Sequence, residues 1–524
     1  MSWTGWLLFI AIVQVIHFLG TWKLYIKAGR HPWEAAVPVY NAVILMKIIN
    51  RPWWWTILLF VPIVNLIMFP VVWVETIRSF GRNNTTDTIL VLLTFGLYIY
   101  YINYTQDVTY IEDRSLRPRT SAGEWTSSIL FAVVAATIVH TYFMQPFTIP
   151  TSSLEKTLLV GDFLLVSKYH YGARTPNTAV AFPMVHDTIP VIRSKSYLTK
   201  PQIPYFRFPG FQDIKRNDIV VFNWPVDTVN AFQQWGDGKY YYKPIDKKSN
   251  YVKRCVGLPG DSLSVKDGYV YINGKKNELP DRAKLQFSYQ VITSQRLNIR
   301  QVMERYDITD IQPLNNEMTA FVMHMTDEAR DRFKNLPAVA QVIPLKGEEG
   351  KYNPGTFPNS PEYEFNTDFF GPIYIPEAGK TVAITPESIP FYKRIIEVYE
   401  GSELGYDHTI SQSGTQVLLN GEPISEYTFK MDYYWMMGDN RNNSEDARTW
   451  GYVPFNHVVG KPVFVFMSWN SNAQGLANKI RWERLFTTVG GSGAPVSYFK
   501  YFLIALVGWF GFNYFRKRKK SAKK

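Results

Sequence analysis

A serine hydroxyl attacks a carbonyl at neutral pH only when a neighbouring base takes its proton. Two stretches of this chain carry the residues for that chemistry. The first is Ile149-Pro-Thr-Ser-Ser153-Leu-Glu-Lys-Thr-Leu158, which directly follows an apolar run. The second is Tyr251-Val-Lys253-Arg-Cys-Val-Gly-Leu-Pro-Gly-Asp261. Neither holds a histidine, and lysine can act as the base if burial lowers its pKa toward neutrality. Lys253 sits in a strand-like run between Val252 and Val256, where alternation puts it on the same face as Tyr251 and Cys255. Pattern alone leaves two readings open: a buried base, or a strand-end lysine facing water.

Two further segments accompany these. One is Gly161-Asp-Phe-Leu-Leu-Val-Ser-Lys168. The other is Met437-Gly-Asp-Asn-Arg-Asn-Asn-Ser444-Glu-Asp446-Ala-Arg448, followed by Trp450-Gly-Tyr-Val-Pro454. In composition and order the four resemble the signature boxes of bacterial type I signal peptidases. The resemblance implies Ser153 as nucleophile and Lys253 as general base. It implies an oxyanion hole formed by the Ser153 N–H and Thr151, and a Ser444 hydroxyl bonded to the lysine. Asp446 and Arg448 would form a supporting ion pair, with Asp439, Asn440 and Arg441 as further support from the same box. Ile149, Pro150, Leu154, Leu158, Tyr251 and Val252 would line shallow apolar pockets for the small residues of an A-x-A-like cleavage site. The substrate would lie extended against an edge strand. No metal or organic cofactor is expected.

The departures from the family pattern are specific. Leu154 stands where the family has methionine, Lys156 where it has proline, and Ala447 where it has a second serine. Lys156 also creates an S-x-x-K match with Ser153, the signature of penicillin-binding proteins and β-lactamases. That scheme expects S-x-N and then K-T-G, whereas Lys380-Thr-Val382 precedes Gly438-Asp-Asn440 here. Two other readings are a membrane-anchored β-domain that binds extended peptides without cleaving them, and a Ser/Lys protease that cleaves itself or a dedicated partner. The presence of both Ser153 and Lys253 favours catalysis over the first.

These residues must be positioned by a chain of 524 residues, of which 46% are hydrophobic and 16% aromatic. The net charge of +12 includes seven Lys/Arg in the last nine residues, after an apolar segment. Such placement is a membrane-topology signal, and nucleic acid is not expected as a partner. The lone Cys255 excludes an intrachain disulfide and a cysteine zinc cluster. The eight histidines show no metalloprotease spacing.

Apolar runs predict spans with cores at Trp6–Leu19, Trp53–Val74, Thr88–Tyr101, Ile129–Tyr142 and Val496–Phe515, with Trp33–Ile49 as an interfacial helix. A crossing needs about 20 residues. Lys23, Lys27, Arg30, Lys47 and Arg51, then Arg114, Arg117 and Arg119, and finally the tail, assign three loops to the cytoplasm. The amino terminus and the region after the fourth span are then outside. Arg78 and Arg82 would also fall outside, against the rule.

The region from about 147 to 494 reads as antiparallel β, with short β-branched and aromatic runs and with Asp267-Gly268, Asn273-Gly274 and Asn420-Gly421 as hairpin turns. The expected fold is a multi-pass helical membrane region joined to a mostly antiparallel β extracytoplasmic catalytic domain. The expected division is a membrane module 1–123, an anchor helix 124–146, a catalytic core 147–274 and 428–494, a β-rich cap 275–427, and a final span with basic tail 495–524. The resemblance places the chain in the bacterial plasma membrane. Signal-peptide-bearing preproteins and the lipid bilayer would be its partners, with the secretion machinery as a further one.

Overall fold

The computed structural model describes residues 2–118, 120–229 and 239–521. Arg119, Lys523 and Lys524 of the charge pattern above lie outside the described residues. The chain forms two compact units. The first comprises Met1–Phe143, Arg174–Arg207 and Thr228–Lys248; the second comprises Met144–Ala173, Phe208–Asp227 and Ser249–Lys524.

In the first unit, Ser2 caps a 25-residue helix, Trp3–Lys27, by accepting from the Gly5 N–H. Thr120 caps Ser121–Ile138 in the same way, through the Gly123 N–H. Among the described residues, two helices are long and apolar enough to cross a bilayer: Trp3–Lys27 and Ser121–Phe143. The expected interfacial stretch is a short 3₁₀ turn, Pro32–Ala35, followed by the helix Tyr40–Ile48.

The expected crossing at Trp53–Val74 is not a single span. It breaks into Trp55–Leu58 and Asn65–Ser79, with Ile63 in a left-handed turn at φ 70° beside Pro62. Arg51, just before it, donates to Glu75, just after it, at 3.0 Å, and Arg114 joins the same carboxylate at 2.6 Å. A segment whose two ends meet cannot carry the chain from one bilayer face to the other.

The expected span Thr88–Tyr101 is a pair of helices that is apolar enough to cross only if the two are taken together. Thr85–Leu93 and Tyr98–Thr105 are bent by 119°, and Arg82 before them bonds Gln106 after them. Lys27, at the end of the first helix, reaches Asp107 at 3.5 Å. Arg78 and Arg82 therefore lie at the same end of this unit as Lys27, Arg51 and Arg114. The last expected span is a helix, Phe499–Ser521, but Lys500, Asn513 and its terminal cations keep it out of the apolar pair.

The second unit is built on an eight-stranded sheet. Its order is Met144–Thr148, Asp162–Ser167, Val458–Ser468, Ile219–Asn223, Asn250–Gly257, Tyr433–Met437 and Val453–Pro454, with Thr487–Thr488 paired to Val458–Ser468. Its pairings are antiparallel. Pro146 lacks an N–H, and it sits on the edge strand, where none is needed.

A second sheet joins Phe370–Tyr374, Ser262–Lys266, Tyr269–Ile272 and Lys275–Lys276. Its hairpins turn at Asp267-Gly268 and Asn273-Gly274, all four residues at positive φ, as their sequence predicts. Residues 287–344 form a small lobe. Its sheet runs Val339–Pro344, Phe287–Thr293, Ala320–Met325 and Asp310–Pro313, packed through Val291, Phe321, Met323 and Phe333.

Candidate active site

Ser153 lies in the turn between the edge strand Met144–Thr148 and the strand Asp162–Ser167. Ile149 closes the base of this turn: its N–H donates to Asp162 O and its carbonyl accepts from Gly161 N–H, both at 2.9 Å. Gly161 sits at φ +89°, and a Cβ there would lie 1.9 Å from the Trp469 carbonyl oxygen, so no larger residue fits. Lys156 adopts φ 73°. Proline, locked near −65°, cannot take that conformation.

Lys253 comes from the strand Asn250–Gly257, opposite Val220 of Ile219–Asn223. Its Nζ donates to Ser153 Oγ at 2.6 Å, and the two side chains are 3% and 6% exposed. Burial lowers the Lys253 pKa to about 8, against the opposing pull of Asp446 and Glu445. Of the two readings of this lysine, the structure has the buried one. Lys156 is turned elsewhere, its Nζ 2.8 Å from Asp307.

The Asp439–Arg448 segment clamps the nucleophile turn. Asn440 donates its backbone N–H to Ser153 O at 3.1 Å and its side-chain amide to Ser152 O at 3.3 Å. Gly438 lies so close that an added Cβ would be 2.6 Å from Ser153 O and 2.3 Å from Ser444 Oγ. Asp446 and Arg448 form the expected ion pair, bidentate at 2.9 and 2.8 Å, and Gly438 N–H also donates to Asp446 at 3.0 Å. Burial opposes ionisation of Asp446, but Arg448 outweighs it and holds the carboxyl below its ordinary range.

Asp439 is held likewise by Arg254, at 2.8 and 2.6 Å, and by the Thr157 hydroxyl at 2.6 Å. Arg441 is buried, with Nη1 on Gly268 O at 3.0 Å and its backbone N–H on Gln286 O at 2.9 Å.

One expected contact is absent. Ser444 Oγ is buried and, among the described residues, has no hydrogen-bond partner, so it does not bond Lys253. It is packed against Gly438, which fixes it beside the Ser153 carbonyl. Thr151 is exposed, and among the described residues neither its hydroxyl nor the Ser153 N–H donates to a protein acceptor.

Ile149, Leu154, Leu158 and Val252 share one apolar cluster with Val221 and Val465. Pro150 is exposed. Tyr251 belongs to a separate aromatic group, stacked on Trp224 at 5.3 Å and edge-on to Trp450 at 5.4 Å.

Sequence reasoning missed the 287–344 lobe as a neighbour of the nucleophile. Asn443 Nδ2 donates both to Ser152 Oγ at 2.9 Å and to Asp310 at 2.6 Å. Thr309 donates to the buried Glu155 at 3.1 Å. Arg254 was also missed, although its place beside Lys253 in a strand sends it to the opposite face.

A family model described as "Signal peptidase, peptidase S26" matches residues 122–326 and 378–469, more than half of the chain. The chain belongs to this family. A second model, a family of unknown function, matches residues 33–113. Signal peptidase I of Rickettsia canadensis is 31% identical over 168 residues, 32% of this chain and 49% of the relative. Signal peptidase I of Buchnera aphidicola subsp. Schizaphis graminum is 25% identical over 348 residues, 66% of this chain and 76% of the relative. That of Haemophilus influenzae is 24% identical over 388 residues, 72% and 79%. The chain thus spans about half the length of the Rickettsia relative and three quarters of the other two. The family's matched regions contain every residue of the Ser153–Lys253 site and its Asp439–Arg448 clamp.

Proposed function

We propose that this chain is a membrane-anchored serine endopeptidase that removes N-terminal signal peptides from exported preproteins. The observation that carries the reading is the buried 2.6 Å contact between Lys253 Nζ and Ser153 Oγ. Neutral Lys253 takes the Ser153 proton as Oγ attacks the scissile carbonyl carbon. The developing oxyanion accepts from the Ser153 N–H and the Thr151 hydroxyl, both of which are unused by the protein itself. Losing one such donor costs about 10²–10³ in rate. Collapse expels the amine of the mature protein, which takes the proton from Lys253. The lysine then draws a proton from water, whose attack on the acyl-enzyme releases the signal peptide and returns the proton to Ser153.

The substrate runs extended along residues 250–253. The register of this strand with Tyr433–Met437 covers Arg254, Cys255 and Gly257 and does not extend to Val252 and Lys253. Ile149, Leu154, Leu158 and Val252 supply the apolar floor for small side chains.

Trp3–Lys27 and Ser121–Phe143 anchor the enzyme, with the basic ends at Lys27, Arg51 and Arg114 in the cytoplasm and the catalytic domain outside. Lipid is then a standing partner, and the secretion machinery that delivers preproteins is an expected one. Cleavage of a purified preprotein tests the scheme. Ser153→Ala and Lys253→Ala should each abolish it, and Lys156→Ala should leave most of it. An inactive Lys156→Ala beside an active Lys253→Ala would reassign the base.

A further inference from the structure

Three carboxylates favour the Lys253 ammonium, Asp446 most, then Glu445 and Asp439. Two are already matched to arginines. Asp446 is held bidentately by Arg448, and Asp439 by Arg254. Glu445 has no lysine, arginine or histidine within ion-pair distance among the described residues. Its partner is the Tyr251 hydroxyl, which donates to Oε2 at 3.2 Å. The Tyr251 ring centre lies 5.7 Å from Lys253 Nζ, on the same strand face, and is held in place by Trp224 and Trp450.

The geometry points to Glu445, held by Tyr251, as a positioning residue for the base, acting as the counter-charge of the Lys253 ammonium. This rests on the reading of Ser153 and Lys253 as nucleophile and base. The groups facing Lys253 then divide clearly. Arg448 pushes against its positive charge and offsets part of what its partner Asp446 supplies, and Glu445 adds a negative charge that no arginine holds. A half-buried carboxylate without a cation is screened less than a surface one, so its charge reaches the ammonium. Ser444, whose hydroxyl makes no bond here, does not take that role.

A negative neighbour favours the ammonium form, so removing it frees the amine at lower pH. The test is the pH profile of kcat/KM for the detergent-solubilised full chain acting on a preprotein. Glu445→Gln should move the acid limb roughly one unit toward lower pH. On that limb the variant then keeps about tenfold more of its own plateau activity than the wild type does. Glu445→Asp should restore the wild-type profile. Glu445→Ala, a second neutral variant, should shift in the same direction as the glutamine.

A neutral variant with lowered plateau but an unmoved limb would mark Glu445 as merely structural and overturn the inference. Ser153→Ala and Lys253→Ala run in the same assay separate the two levels. If either cleaves, the nucleophile and base are misassigned. If both are inactive and the neutral variants do not shift, the Glu445 inference alone fails.

Discussion

Acidification is the perturbation that bears most directly on the proton transfer. Lys253 is 3% exposed, and burial brings its pKa down to about 8. The active form is the neutral amine, so activity is present above that value and is lost as pH falls through it. At pH 9 about 90% of the lysine is neutral, at pH 7 about 9%, and at pH 6 about 1%. The rate constant kcat/KM should therefore fall ~90-fold between pH 9 and pH 6, with a slope approaching tenfold per unit below pH 7. A lysine left at its ordinary value would be neutral in only about one molecule in 3,000 at pH 7, so burial alone is worth ~300-fold there.

The assay is single-turnover cleavage of a preprotein with an A-x-A-like site by the full chain in detergent, because kcat/KM reports ionisations of the free enzyme. Parallel circular dichroism must show the fold intact across the range. A flat profile, or a limb centred near pH 6 as a histidine would give, would refute the reasoning. Among the described residues no histidine bonds Ser153 or Lys253, so such a limb would require a different base.

Two further outcomes follow from the geometry. Gly438→Ala places a methyl 2.3 Å from Ser444 Oγ and 2.6 Å from Ser153 O, closer than real Cβ contacts come. It should lower kcat at least tenfold by shifting the nucleophile turn, since small misplacements at a reacting centre are costly; a kcat equal to the wild type's would show that the clamp is dispensable. In the membrane module, single cysteines at 29, 83 and 113 should all react with an impermeant thiol reagent from the cytoplasmic face, with the buried Cys255 silent. Labelling of 83 from the opposite face would reinstate Trp53–Val74 as a crossing.

Much of the catalytic domain was legible in the sequence because local chemistry dictates it. The Asp-Gly and Asn-Gly pairs turn because they accept positive φ, and Tyr251–Val256 alternates as a strand must. Val463–Trp469 and Phe163–Val166 read as strands and become central members of the sheet. The pairing of Asp446 with Arg448 was implied by the resemblance to the family's box, and local spacing alone did not give it. The membrane region shows where such reading stops. Hydropathy reports how apolar Trp53–Val74 is, and says nothing of whether its ends meet. That was decided by Arg51, Glu75 and Arg114, which are far apart in the chain and joined only by folding.

What the residue order determined by itself was the inventory: a serine after an apolar run, a lysine in a strand, a box of acids and arginines, and the turns between strands. Only the tertiary structure decided which lysine faces Ser153, that Asp439 belongs to Arg254, that Glu445 stands without a cation among the described residues, and that the 287–344 lobe braces the nucleophile turn. The reason is physical. Propensity and periodicity act over a few neighbours, whereas burial, and with it the protonation of Lys253, depends on chain segments a hundred or more residues away that pack around it.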